Sequence, residues 1–102
     1  MISLKHEAKK KKIEMLSRLS QIDGSLIEIV EFLLQEKLID KEMVKSLQKS
    51  GSFARDLESA IQNLRNAEKL QFVEYEWVVL PHERIKLTLV TDKITKEFGF
   101  EF

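Results

Sequence analysis

Polar side chains recur every three or four residues between positions 53 and 69 of this chain. That spacing places them on one face of a helix, and none of them is acidic. They are two cations, two amides and a hydroxyl, groups that donate to phosphate or bond to the edges of nucleic-acid bases. We call this set the polar stripe; its members are Arg55, Ser59, Gln62, Asn66 and Lys69. Its chemistry is recognition by charge and hydrogen bonding.

The helix predicted to carry the polar stripe runs from Phe53 to Lys69. Its other side is apolar, which predicts a helix with one buried face. The apolar positions are Phe53, Leu57, Ala60, Ile61, Leu64 and Ala67. Asp56 and Glu58 flank the stripe and would repel a polyanion there. Because every amphipathic helix has a polar face, the neighbouring elements must decide what the stripe does.

Composition limits the chain to one domain of 102 residues, with 43% hydrophobic content. The chain has no cysteine, which excludes disulfides, cysteine zinc sites and thiol nucleophiles. No apolar run approaches the roughly 20 residues that span a bilayer, and the first residues lack the apolar stretch of a secretory signal. We therefore expect a cytoplasmic protein that does not enter membranes.

Charge is distributed unevenly although the formal net charge is zero. Residues 1–20 contain six cations against Glu7 and Glu14, a surplus of four. Four of those cations form the run Lys9–Lys12. This run has three interpretations: a solvated helix face, an arm that contacts phosphate, or a nuclear import signal.

Three further helices are predicted before the polar stripe. Apolar spacing predicts the first over residues 4–19. Ser25 and Glu28 have the capping-box spacing and predict a second helix from Ser25 to about Leu38. Asp40 is expected to cap a short third helix, from Lys41 to about Gln48, that buries Met43, Val44 and Leu47. Residues 49–52 then form a turn.

Beyond Leu70 the apolar period changes to two, which predicts two antiparallel strands. The first alternates through Val73, Tyr75, Trp77 and Val79, and the second through Ile85, Leu87 and Leu89. Pairing Trp77 with Leu87 and Tyr75 with Leu89 would leave a loop of Pro81 to Glu83. A last helix is expected over Asp92–Phe98, ending at Gly99. An aromatic tail, residues 99–102, would then fold back or dock on a partner's sheet.

Residues 22–98 resemble the winged helix-turn-helix regulators, a family of DNA-binding proteins. The similarity lies in apolar spacing and element order, and it covers about three quarters of the chain. Glu68 and Lys69 stand where many such regulators have a glycine that ends the recognition helix. The matching segments are Gln35–Ile39 (QEKLI), Met43–Leu47 (MVxxL), Phe53–Leu64 (FARDLESAIQNL), Ala67–Leu70 (AEKL) and Ile85–Lys93. The resemblance implies an α+β fold, mostly helical, with an extra N-terminal helix and a two-stranded wing.

The resemblance also implies which residues contact double-stranded DNA. The helix from Phe53 would enter the major groove and present Arg55, Ser59, Gln62 and Asn66 to the bases. Other side chains would contact phosphate or the adjacent backbone. For the turn and the end of the helix these are Lys49, Ser50, Ser52 and Lys69; for the wing they are His82, Arg84 and Lys86. Such a protein is a small transcriptional regulator.

The first helix has a second expected role, in dimerisation. Leu4, Ala8, Met15 and Leu19 form an apolar seam that could join two copies, as suits a palindromic operator. The same seam could equally pack on the protein's own core. The sequence leaves both possibilities open.

A non-enzymatic protein-interaction module, for example a viral, phage or plasmid accessory protein, is the alternative, and acidic Glu74 and Glu76 favour it. It would use the winged helix or a helical groove. An enzyme is not expected: His6 and His82 are the only histidines, and neither has ligands or a nucleophile at catalytic spacing. No catalytic, metal or cofactor site is predicted.

Overall fold

The computed structural model describes the backbone of residues 4–102 and the side chains from residue 9 onward. Four helices precede three strands, so the fold is α+β, as predicted. The helices are α1 (Leu4–Leu19), α2 (Ser25–Gln35), α3 (Lys41–Lys49) and α4 (Phe53–Asn66). The strands are β1 (Phe72–Val78), β2 (Arg84–Val90) and β3 (Thr95–Glu101).

The first and second helices are joined by a buried serine that does not cap as predicted. Gly24, at φ 81°, precedes α2 and makes no side-chain cap. Ser25 is 1% exposed, and its hydroxyl donates to the carbonyl oxygen of Leu19 at 2.5 Å. A buried hydroxyl needs a partner, and the last turn of a helix offers unpaired carbonyls. The predicted capping box is therefore wrong, and Ser25 ties α2 to the end of α1.

Helix α3 begins as predicted, because Asp40 Oδ1 accepts from the amide of Met43 at 2.9 Å. Its apolar face is only partly covered. Leu47 is buried and Val44 is half-buried, but Met43 is 42% exposed, contrary to the prediction that it is buried. An exposed apolar side chain therefore remains at the beginning of α3.

Helices α2 and α4 end in the same way, with a non-glycine residue in the left-handed region. Lys37 has φ 59° and Glu68 has φ 61°. In each case the next amide donates back to the helix: Leu38 N to Leu33 O, and Lys69 N to Leu64 O, both at 2.9 Å. These are Schellman motifs. The predicted end at Lys69 is wrong, because α4 ends at Asn66 and its chain reverses at Glu68.

The strands form one antiparallel sheet in the order β1-β2-β3. Trp77 pairs with Ile85 and Tyr75 with Leu87, so the predicted register is wrong by two residues and the loop spans residues 79–83. A shift of two keeps every side chain on its predicted face, so the apolar pattern cannot distinguish the two registers.

The third strand replaces the helix predicted over Asp92–Phe98. Thr91 begins a tight turn, in which its hydroxyl oxygen accepts from the amides of Lys93 and Ile94, each at 3.1 Å. Strand β3 then pairs with β2. Phe98 is 5% exposed and meets Phe32 of α2 edge to face, with ring centroids 5.8 Å apart. The predicted tail is thus part of the sheet, because alternating aromatics suit a half-buried strand.

One face of the sheet packs on the helices and completes the core. Leu87 and Leu89 lie in the same cluster as Leu16 of α1 and Leu57 of α4. Met15 is 5% exposed and Leu19 is fully buried, so these members of the predicted dimerisation seam belong to the protein's own core. The side chains of Leu4 and Ala8 lie outside the described residues.

Candidate nucleic-acid interface

Four of the five stripe residues share the outward face of α4. Arg55 and Asn66 are exposed, while Ser59 and Gln62 are half-buried. Gln62 Nε2 donates to Asn66 Oδ1 at 3.2 Å, and this bond orients both amides along the helix. The face therefore offers one cation at its beginning and hydrogen-bonding groups behind it.

Of the two acids that flank the stripe in the sequence, Glu58 is enclosed, whereas Asp56 lines a cleft that Ser59 of the stripe also lines. Glu58 is 2% exposed and lies beneath α1 rather than on the surface. Asp56 is half-buried and accepts from the hydroxyl of Ser50. The stripe is thus less acidic in its surroundings than the sequence indicated.

Helix α1 lies beside α4 and adds cations to the stripe. A cleft of about 550 Å³ between the two helices is lined by Lys9 and Lys10 together with Arg55 and Ser59. Among the described side chains, Glu14 is the acid that lines it. The structure therefore brings half of the lysine run to the beginning of the polar stripe. Consecutive residues of a helix point in different directions, so the sequence does not indicate that Lys9 and Lys10 meet the same neighbouring helix.

The other half of the lysine run points to the sheet. Lys11 Nζ lies 5.0 Å from the ring centroid of Trp77, and Lys12 Nζ lies 5.7 Å from that of Tyr75. Both are within the range of cation–π attraction. Lys11 and Lys12 thus help to hold α1 on β1.

The turn before α4 contributes a second cleft, of about 360 Å³, that adjoins the first through Ile13 and Arg55. Ser52 lines it together with Ser17 and Ser20 of α1. Ser50 is engaged within the turn, since it also accepts from the amide of Ser52 at 2.9 Å. Lys49 is exposed at the end of α3.

The remaining predicted contacts lie elsewhere. Arg84 and Lys86 point to the outward face of the sheet, away from the core, in rows that also contain Glu76 and Glu101. Lys86 Nζ is 3.6 Å from Glu97 Oε1, and His82 Nε2 is 3.9 Å from Glu101 Oε1. The structure does not bring these cations together with the polar stripe.

Lys69 is also separated from the stripe. It lies beyond the end of α4, in a cleft formed where α2 ends and α3 begins. Lys37 and Lys41 share that cleft.

An unpredicted cluster fixes the β1–β2 loop on α1. Glu83 accepts from Arg18 Nη2 at 2.6 Å and from Trp77 Nε1 at 2.9 Å. The hydrogen bonds from Arg18, and then that from Trp77, lower the pKa of Glu83. Arg18 also lies over the Phe102 ring, 4.4 Å from its centroid. The single tryptophan was the only sequence signal for this cluster.

Beneath the stripe, two buried polar atoms have no hydrogen-bond partner among the side chains described from residue 9 onward: Glu58 Oε2 and Tyr75 OH. Burial raises the pKa of Glu58, although the charges of Lys12 and Lys9 oppose the shift. Burial and the neighbouring Glu58 raise the pKa of Tyr75. Two polar groups are thus enclosed where α1, α4 and β1 meet.

Among the side chains described from residue 9 onward, no cluster of three His, Asp or Glu side chains could hold a metal ion. Within residues 4–102 no helix combines the length and apolarity needed to cross a bilayer. A scan of family models finds no match to the chain, and neither the curated proteins nor the solved structures yield a significant similarity.

Proposed function

We propose that this protein is a small cytoplasmic DNA-binding regulator, of winged-helix type, that holds duplex DNA against α4 and the neighbouring lysines of α1. One observation carries the proposal: Lys9, Lys10 and Arg55, from two helices, line one cleft at the beginning of the polar stripe. Three cations gathered on one surface attract phosphate even though the chain has no net charge. The order of α2, α3, turn, α4 and hairpin supports the winged-helix assignment.

The proposed contacts fall into two classes. Lys9, Lys10 and Arg55 neutralise phosphates, and Lys49 and Ser52 extend that contact around the turn. Ser59, Gln62 and Asn66 lie further along α4 and would bond to base edges. The outward cations of the sheet are not needed, because acids surround them.

The test is a titration of a labelled random duplex at low and moderate salt. Displacement of counterions by the three cations predicts that binding weakens with salt, with a slope of log K against log salt near −3, from about 0.9 per neutralised phosphate. Absence of binding at low salt would refute the proposal.

A protein-interaction module is the second candidate, and the outward face of the sheet favours it. Four glutamates, Glu74, Glu76, Glu97 and Glu101, lie there against Arg84 and Lys86. A basic protein surface would complement that face. If Glu74→Lys and Glu97→Lys abolish binding to a partner recovered by affinity capture while the duplex is not bound, this candidate replaces the first.

A further inference from the structure

A second surface, which shares no residue with the α1–α4 cleft, has the features of a peptide-binding cleft. It lies where α2 ends and α3 begins and has a volume of about 490 Å³. Its apolar lining includes Leu34, Leu38 and Met43. Pockets of roughly 300–1,000 Å³ with apolar walls and a few polar groups are typical of ligand sites. Met43 is an exposed large apolar side chain, and the flexible side chain of methionine adapts readily to a partner.

Backbone hydrogen bonds at two helix ends fix the borders of the cleft. Both Schellman motifs border it: Lys37 follows the end of α2, and Lys69 follows the end of α4. Leu38 N and Ile39 N both donate to Leu33 O, at 2.9 and 3.4 Å, which fixes the first border. Fully buried Leu70, whose amide donates to Leu64 O at 3.1 Å, anchors the second. A preformed site reduces the entropy lost on binding.

Among the described residues, cations outnumber acids in the lining of this cleft. Three cations line it, Lys37, Lys41 and Lys69, and the only acid is Asp40. One oxygen of Asp40 already accepts from the Met43 amide. The surplus of positive charge selects acidic ligands. The apolar lining favours a ligand that also carries a large apolar side chain, which a phosphate group lacks.

We propose that this cleft binds an acidic peptide segment of a protein partner. One large apolar side chain of the segment packs on Leu34, Leu38 and Met43, and flanking carboxylates pair with the three lysines. The cleft is small for a globular surface but suits one anchor residue with its neighbours. This inference does not depend on DNA binding, because Lys37, Lys41 and Lys69 are not part of the α1–α4 cleft.

The test uses a fluorescein-labelled peptide of about twelve residues, in which leucine and phenylalanine alternate with pairs of glutamate, and fluorescence anisotropy. We expect Lys69→Glu and Met43→Asp each to raise the dissociation constant about tenfold or more. Lys69→Glu repels the carboxylates of the peptide, and Met43→Asp removes the apolar contact with its large side chain. Lys86→Glu makes the same charge change on the outward sheet face and should alter the affinity less than about twofold.

Three results would overturn the inference. The first is equal weakening by Lys86→Glu, and the second is equal binding of a peptide with lysine in place of glutamate. The third is variant-sensitive binding to phosphatidylserine vesicles but not to the acidic peptide, which would assign the cleft to a membrane surface. Arg55→Ala separates this inference from the proposed function, since it should weaken duplex binding and leave peptide binding unchanged.

Discussion

Arg18 and Glu83 connect the last turn of α1 to the β1–β2 loop through an Nη2 to Oε1 contact of 2.6 Å. The two residues are 65 positions apart in sequence, so their contact closes the fold from its first helix to its sheet. Phe102 N also donates to the Glu83 carbonyl oxygen at 2.9 Å, which brings the end of the chain to the same place. A single glutamate therefore holds three segments together.

Glu83→Gln should lower the melting temperature at neutral pH, because the variant keeps the shape but loses the charge that Arg18 and Trp77 stabilise. The pKa of Glu83 is lowered in the folded state. Its contribution to stability is therefore present above the ordinary glutamate value of 4.5 and is lost as pH falls through the lower folded value. Melting curves from neutral to acidic pH should show the two proteins converging. Glu76→Gln, on the outward face, is the matched control and should change little at any pH.

Glu58→Gln should have the opposite effect. Burial raises the folded pKa of Glu58, so its favourable contribution is complete below 4.5 and is lost as pH rises through the folded value. Removing a charge that is costly to bury should stabilise the protein at neutral pH by about 1 kcal/mol, which raises the melting temperature by roughly 4–8 °C. The difference should vanish in acid. A less stable variant at neutral pH would show instead that Lys9 and Lys12 more than offset the burial of the carboxylate.

Glu68→Gly should stabilise the end of α4, because glycine adopts positive φ without the penalty of a Cβ. The left-handed conformation costs a non-glycine residue about 1–2 kcal/mol, and glycine loses roughly 0.5–1 kcal/mol more backbone entropy. We expect a net gain of roughly 0.5 kcal/mol from chemical denaturation. Gly24→Ala is the reciprocal test: at φ 81° a Cβ meets no atom within 4 Å, so any loss of stability comes from the backbone alone. If Glu68→Gly and Gly24→Ala were both as stable as the unmodified protein, this explanation of the left-handed residues would be contradicted.

Arg55→Ala should weaken duplex binding roughly three- to tenfold and reduce the salt slope by about 1, since one phosphate contact is lost. Lys10→Ala should do the same if α1 shares the interface. Lys86→Ala is the control for a wing that contacts DNA, and it should leave both affinity and slope unchanged because Glu97 and Glu76 lie beside it. If Lys86→Ala weakened duplex binding more than Arg55→Ala, the DNA interface would instead lie on the outward face of the sheet.

The helices could be predicted from the sequence because each has a clear period and ends at a turn. Asp40 is the clearest case, since its cap is a local interaction between residues three apart. The hairpin register could not be predicted, because Trp77 opposite Ile85 and Trp77 opposite Leu87 bury the same faces. The burial of Glu58 could not be predicted either. Glu58 borders the apolar face of α4, and it is buried because α1 packs over it.

The candidate site was accessible to sequence reasoning only in part. The period of α4 placed Arg55 and Ser59 on one face, and the structure agrees. Lys9 and Lys10 belong to a different helix, and their approach to Arg55 is a tertiary contact that no local pattern encodes. Lys69 was assigned to the stripe because the helix was expected to continue, whereas the reversal at Glu68 moves it to another surface.

Within the part of the chain that the structure describes, cations predominate in the α1–α4 cleft and glutamates predominate on the outward face of the sheet, so charge is unevenly distributed around the molecule. In a uniform electric field, such a neutral protein experiences no net force, but it does experience a torque. A nearby chain of negative charge would turn the α1–α4 side toward itself before any contact forms. The same asymmetry predicts that the protein is retained on both cation- and anion-exchange resins near its sequence pI of about 6.7.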